Sequence, residues 1–225
     1  MEELEEHIVK ILSVEPVTHN VKRFRVEKPS GYTFIPGQAT EVAIDDPRWR
    51  EEKRPFTFTS LNEWPDLEFT IKIYDDHEGV TNELGNLQAG DRLVLHDVWG
   101  AIAYNGPGTF LAGGAGITPF IAIFRDLHKQ SALNGCSLYF SNRTDQDIIL
   151  KEELEGYLGD DFHKIITGDE ATSYEKAFLD AQYIRDHIRN FDQHFYICGP
   201  DEFVQDLSKI LEECGASSDA VVFEK

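Results

Sequence analysis

The chain has 225 residues, enough for one large domain or two modest ones, and its 41% hydrophobic, 12% aromatic and 28% charged composition is that of a globular protein with material for a core. A formal charge of −20 disfavours nucleic acid and anionic membranes as partners and favours a cationic one. The three scattered cysteines, Cys136, Cys198 and Cys214, form no CxxC pair; they argue against a disulfide framework, a structural zinc site or a four-thiolate iron–sulfur cluster, and for a reducing, cytoplasmic setting.

The acidic start MEELEEHIVK lacks an apolar run and does not read as a signal peptide, and no later apolar stretch is long enough to cross a bilayer. Residues 7–17, 21–29, 38–45, 54–60, 67–75 and 91–98 alternate apolar and polar side chains and are rich in Val, Ile, Thr and Phe, the pattern of half-buried strands. Turn signals separate them: Pro29-Ser30-Gly31, Pro36-Gly37 and Ala89-Gly90-Asp91. One short helix is expected over residues 81–87. Such a series of short strands predicts a small barrel or sandwich, read here as a six-stranded antiparallel β-barrel.

The rhythm changes at Tyr104-Asn105-Gly106-Pro107-Gly108. Beyond it, strands TFLAGG, SLYFSN, HKIITG and HFYICG each precede a helical stretch, and AVVFE closes the chain. Strands alternating with helices predict a parallel α/β sheet with crossover helices. In the helix that begins PDEF, Phe203, Leu207, Ile210, Leu211 and Cys214 mark one buried stripe, with Gly215 placed to end it. The expected division is a barrel over residues 1–103 and an α/β nucleotide-binding domain over 104–225.

Three stretches carry chemistry. LAGGAGITPF, residues 111–120, joins a strand to a helix through glycines that let the main chain approach a ligand closely. Pro119 stands where a dinucleotide fingerprint needs its last glycine, yet Thr118 as N-cap and Pro119 as first helical residue still present a helix start to an anion. A tight strand–helix turn is the competing reading. In KRPFTFTS, Arg54 precedes Pro55 within a strand and is suited to gripping a phosphate bidentately, against the alternative of a surface ion pair. CGPDEF, residues 198–203, ends a parallel strand, the edge where open α/β sheets bind ligands; Cys198 also reads as a small core residue. The eight histidines show no metal-ligand spacing, and no metal is expected.

Taken together, Arg54-Pro55-Phe56-Thr57, Gly79-Val80-Thr81, Gly113-Gly114-Ala115-Gly116-Ile117-Thr118-Pro119, Cys198-Gly199-Pro200 and the terminal acid Glu224 resemble the ferredoxin–NADP reductase family of flavoenzymes. The resemblance spans nearly the whole chain, and FSNRTDQDIILKEEL and IKIY are similar to its cytochrome b5-reductase-like members. It implies FAD in the barrel and NADPH or NADH in the α/β domain. Arg54 would hold the FAD pyrophosphate, Phe56 would pack on the flavin, and Thr57 would set a hydroxyl near flavin N5. Gly79, Val80 and Thr81 would donate to the pyrophosphate, and Pro55, Ile71 and Lys72 would complete the lining. Gly113, Gly114, Gly116, Ile117 and Thr118 would contact the nicotinamide nucleotide, while Cys198, Gly199 and Pro200 would sit by its ring. Thr57, Cys198 and Glu224 form the implied catalytic set.

Two departures stand out. Phe56 replaces the family's tyrosine and removes a hydroxyl from the flavin site, and Lys225 ends the chain where many members carry a stacking aromatic. Nucleotide choice stays open: Arg143 suits a 2′-phosphate, while Asp145 and Asp147 lie close by. The implied activity is hydride transfer from NAD(P)H to flavin, followed by electron delivery to a separate acceptor: flavodoxin, ferredoxin, a cytochrome, an oxygenase component or a small oxidant. The alternatives are a reductase that uses free flavin as a substrate and a non-catalytic electron-transfer subunit.

Overall fold

A computed structural model describes residues 6–74, 79–100, 102–168 and 171–223, and the chain divides into the units Met1–Gly100 and Ala101–Lys225. In the first unit the alternating segments form β1 (His7–Thr18), β2 (Val21–Glu27), β3 (Ala39–Ile44), β4 (Arg54–Thr57), β5 (Asp66–Lys72) and β6 (Arg92–Trp99), with a helix α1 (Val80–Leu84) before β6. Neighbours are antiparallel in the order β4-β3-β6-β1-β2-β5. The sheet closes where Phe58 bridges Phe69 and the Thr59 N–H donates to the Glu68 carbonyl at 2.8 Å. The expected six-stranded antiparallel barrel is therefore present.

Alternation fills its interior: Val9, Ile11, Phe24, Val26, Phe58, Phe69, Ile71, Leu93 and Leu95 form one cluster. Each such side chain contributes about 1.5–3 kcal/mol over its exposed state. β1 serves two partners, β6 through residues 7–10 and β2 through residues 11–18, with a register shift that helps the sheet curl. Helix α1 is shorter than the sequence suggests. Lys22 Nζ donates to the Gly85 carbonyl at 2.6 Å, satisfying an end group that a longer helix would otherwise have paired.

In the second unit, β7 (Gly108–Gly113), β8 (Ser137–Asn142), β9 (Phe162–Ile166), β10 (Glu175–Lys176), β11 (His194–Cys198) and β12 (Val221–Phe223) form a parallel sheet in the order β10-β9-β8-β7-β11-β12. Helices α2 (Thr118–Lys129), α3 (Lys151–Leu158), α4 (Ala181–His187) and α5 (Asp201–Glu213) cover it. Leu111, Ile165 and Ile197 pack with Ile184, Leu207 and Leu211 of α4 and α5. Phe110 meets Phe120 and Phe124 of α2 at ring separations of 5.1 and 4.6 Å on the other side. Strand order runs outward from β7 in both directions, so β7 and β11 flank a topological switch point.

Three local expectations change. Helix α3 starts at Lys151 because Leu150 sits at φ +50°, and residues before it form a separate 3-10 turn with a Thr144–Asp147 capping box. β10, two residues long, is an added edge strand. Thr118 is not the N-cap of α2: a 3-10 turn over Gly114–Ile117 runs straight into the helix, Ile117 holds the cap position, and Thr118 Oγ1 turns back to donate to the Ala115 carbonyl at 3.0 Å.

Candidate functional site

The second unit offers a site at its switch point. β7 ends at Gly113, and Gly114 takes φ +53° to begin the 3-10 turn. That turn lies hard against the end of β11. A Cβ on Gly116 would stand 2.3 Å from the Cys198 carbonyl oxygen and 2.5 Å from the Gly199 nitrogen. A Cβ on Gly113 would meet Pro200 Cδ at 3.3 Å, and one on Gly199 would meet Phe203 Cδ1 at 2.8 Å. Close approach of two main-chain segments requires Gly116, the Phe203 ring and the Gly113 main chain crowd Gly199, Gly113 is tight against Pro200 and Phe203, and Gly114 alone is required by its backbone angle. LAGGAGITPF and CGPDEF, distant in sequence, are thus in contact. Cys198 is buried, and Ile117 is fully enclosed, so its side chain anchors the turn to the sheet.

Along the same edge, β8 delivers Arg143. The side chain is exposed and makes no ion pair among the described residues, while its carbonyl accepts the Gly168 N–H at 2.9 Å. The neighbouring acids are already engaged. Asp147 accepts from the Thr144 N–H at 2.9 Å and hydroxyl at 2.7 Å, and Asp145 accepts from the Thr172 hydroxyl.

Phe178 was not expected. β10 runs parallel to β9 with Lys176 beside Ile166, so Phe178 follows just past the C-terminal edge, and it is 67% exposed. An aromatic so placed is a stacking surface for a planar base. The hint in the sequence is an aromatic in EKAFLD immediately before Asp180, the N-cap of α4, which a search for motifs passes over.

The first unit offers a different kind of site. Phe58–Phe69 is the only bridge between the β4 and β5 chains among the described residues. Beyond it, Arg54–Thr57 and the end of β5 carry unpaired edges, and the barrel wall opens as a seam. Arg54 and Pro55 are exposed at its rim, and the guanidinium is held only by the Lys53 carbonyl at 2.7 Å and by Glu52 at 3.4 Å. Thr57 is 9% exposed and its hydroxyl has no partner among the described residues. Phe56 packs on the barrel core. Ile71 and Val80 are core side chains, leaving their main chain alone for a ligand. Lys72 holds its ammonium 5.5 Å from the Tyr74 ring, and Gly79 and Thr81 open α1. An exposed guanidinium with only local partners, an uncommitted hydroxyl, unpaired strand edges and a helix start are a donor set that fits a dinucleotide with a diphosphate and a hydrogen-bonding ring. Glu224 lies outside the described residues. Among those residues no group of three or more His, Cys, Asp or Glu is arranged to hold a metal, and no helix is long and apolar enough to cross a membrane.

Residues 110–209 match the oxidoreductase NAD-binding domain family. The chain is 26% identical to NADH-cytochrome b5 reductase 2 of Rattus norvegicus, covering 94% of this chain and 91% of that protein. It is 24% identical to the ferredoxin–NAD(P)+ reductase component of the Pseudomonas putida naphthalene 1,2-dioxygenase system, covering 94% of this chain and 66% of that one. The crystal structure of a Neisseria gonorrhoeae ferredoxin NADP+ reductase with bound FAD and NADP superposes with a TM-score of 0.84 at 19% identity over 98% of each chain. An antiparallel barrel followed by a parallel α/β unit is the two-domain fold that this chain shares with that reductase. Residues 110–209 thus carry the match to the NAD-binding domain family, and the chain as a whole is similar to NAD(P)H-dependent reductases of the ferredoxin–NADP reductase type.

Proposed function

We propose that the protein is an NAD(P)H-dependent reductase that binds FAD in its barrel unit and the pyridine nucleotide in its α/β unit, and passes electrons to a separate acceptor. The observation that carries this reading is the Gly116–Cys198 main-chain contact at a topological switch point, in a chain whose barrel also has an open seam lined by Arg54 and Thr57. When bound, FAD supplies the ability to take a hydride and release electrons one at a time.

The chain's own residues bind and orient. Arg54 neutralises the FAD diphosphate, with the main chain of Gly79, Val80 and Thr81 donating beside it. Thr57 keeps an uncommitted hydroxyl for the flavin edge, while Pro55, Phe56, Ile71 and Lys72 shape the seam. In the α/β unit the turn through Gly113, Gly114, Gly116 and Thr118 cradles the nucleotide phosphates, and Cys198, Gly199 and Pro200 border the nicotinamide. Phe178 stacks on the adenine, and Arg143, with its acidic neighbours engaged elsewhere, receives a 2′-phosphate. Cys198 and Glu224 complete the catalytic set with Thr57.

A charge of −20 favours a cationic acceptor, such as a basic cytochrome or an oxygenase component, over an acidic one. Relatives named for cytochrome b5 and for dioxygenase systems keep both kinds of acceptor in view. The decisive experiment is anaerobic: purified yellow protein is mixed with NADPH or NADH, the loss of flavin absorbance is followed, and candidate acceptors are then added. Failure of both nucleotides to bleach the flavin sinks the reading. A colourless preparation that reduces added riboflavin supports free flavin as the substrate instead, an outcome that Phe56 favours because it lacks the hydroxyl a tyrosine would offer.

A further inference from the structure

Asn142, the last residue of β8, is 4% exposed, and both the oxygen and the nitrogen of its side-chain amide are buried without a hydrogen-bond partner. Its main chain, by contrast, is firmly held: the Asn142 carbonyl accepts the Thr167 N–H at 2.9 Å and the Thr167 hydroxyl at 3.2 Å. A buried amide with neither group paired carries a desolvation penalty that a leucine of similar size would not. Breaches of local consistency of this kind concentrate at functional positions.

The position is informative. In the parallel register Ala112 lies beside Phe140 and Gly113 beside Ser141, so Asn142 stands one residue past the last paired position, where the chain of β7 leaves the sheet at Gly114 to begin the 3-10 turn. Two residues on from Phe140, Asn142 shares its face of the sheet. Gly114 carries no side chain there, and a Cβ added to it would find nothing within 4 Å. The unpaired amide is therefore buried at the strand end below the turn that the proposed function gives to the nucleotide phosphates, while the outer side of Gly114 faces open space.

We propose that Asn142 is a positioning residue for the pyridine nucleotide: when the phosphates engage the outer side of the turn, the Asn142 amide pairs with the turn's main chain from beneath and holds it in its binding form. A carboxamide is suited to this because it offers a donor and an acceptor together. The inference rests on the nucleotide-binding reading of this unit and adds the residue that supports the turn.

The test compares wild type with Asn142→Leu and Asn142→Ala, measuring unfolding temperature with and without NADPH or NADH, and KM and kcat for each nucleotide. The expected result for Asn142→Leu is an unfolding temperature without nucleotide equal to or above wild type, a nucleotide-induced rise that largely disappears, and a KM about tenfold higher with kcat little changed. Asn142→Ala leaves a small cavity and melts lower, yet shows the same loss of nucleotide response, which guards against a packing artefact of leucine. If both variants keep the wild-type nucleotide-induced rise and KM, the amide is merely a tolerated buried group and the proposal is overturned. If wild type itself gains no stability from either nucleotide, the nucleotide-binding reading fails and takes this inference with it.

Discussion

The two candidate sites are built by opposite means. In the barrel, the site is a stretch of missing pairing: past the Phe58–Phe69 bridge, β4 and β5 keep unpaired edges, and the Thr57 hydroxyl has no partner among the described residues. In the α/β unit, the site is a stretch of excess closeness, with the Gly114–Ile117 turn pressed onto Cys198 and Gly199 so tightly that a single methyl has no room. A seam of the first kind tolerates changes of side chain and is sensitive to loss of charge. A junction of the second kind is sensitive to added volume and nearly indifferent to charge.

The largest expected effect follows from that contrast. Gly116→Ala would drive a methyl into the Cys198 carbonyl, so the turn and the β11 end must separate; nucleotide binding is lost, and unfolding in urea shows a destabilisation of about 1–3 kcal/mol. A variant that still binds NADPH like wild type would break the comparison. Arg54→Ala, on the exposed rim of the seam, should instead leave stability within about 0.5 kcal/mol while FAD affinity falls by about 10- to 100-fold, read as the flavin content of purified protein. Arg143→Ala should raise KM for NADPH about tenfold and leave NADH unchanged; an unchanged NADPH constant removes Arg143 from the phosphate site. Phe178→Ala, at a position already 67% exposed, should weaken both nucleotides about equally, by roughly fivefold or more, with no change in unfolding temperature.

The smallest effect concerns pH and compares a buried histidine of the first unit with a half-buried one of the second. His96, 3% exposed on β6, is held below the ordinary histidine value chiefly by burial, with Lys53 adding to the shift and Glu6, Glu41 and Asp97 opposing it. His163 on β9, half-buried against Tyr139, is shifted the same way, again chiefly by burial. A histidine whose folded value is lowered binds its proton less readily folded than unfolded. Its contribution is complete above the unfolded value of about 6.5 and is lost as the pH falls from there through the folded value. Urea melts at pH 7.5 and 5.5 should therefore show lower stability at the acid end, and His96→Leu should flatten that difference more than His163→Leu does.

Much of this architecture was legible in the chain. Strict alternation gave away the barrel strands because one face of each is buried, and SLYFSN and HFYIC read as strands because apolar runs bounded by turns have few other uses. The glycine motifs were legible as a set, yet their reason was not: steric contact between segments far apart in sequence leaves no periodic trace. β10 escaped because two residues carry no period and its pairing depends on β9. The capping role expected of Thr118 failed because a 3-10 turn continues into the helix, a choice made by the packing of Ile117 rather than by cap propensity. Phe178 and Asn142 share a different kind of invisibility. Exposure of one and the unpaired burial of the other are properties of the folded neighbourhood, not of residue type.

The contact between Gly116 and Cys198 also sets an order of events during biosynthesis. β7 and its turn leave the ribosome well before β11, which follows only after β8, β9 and β10. Closing so long a loop comes late because its chain entropy must be overcome before the contact gives anything back. The barrel's strands leave the ribosome before this step, although its own β1–β6 pairing, with His7 beside Leu95, closes a loop of comparable length. A nascent chain halted after β9 would hold a complete barrel and half a nucleotide cradle, so competence to draw electrons from a nucleotide arises as one of the last acts of folding.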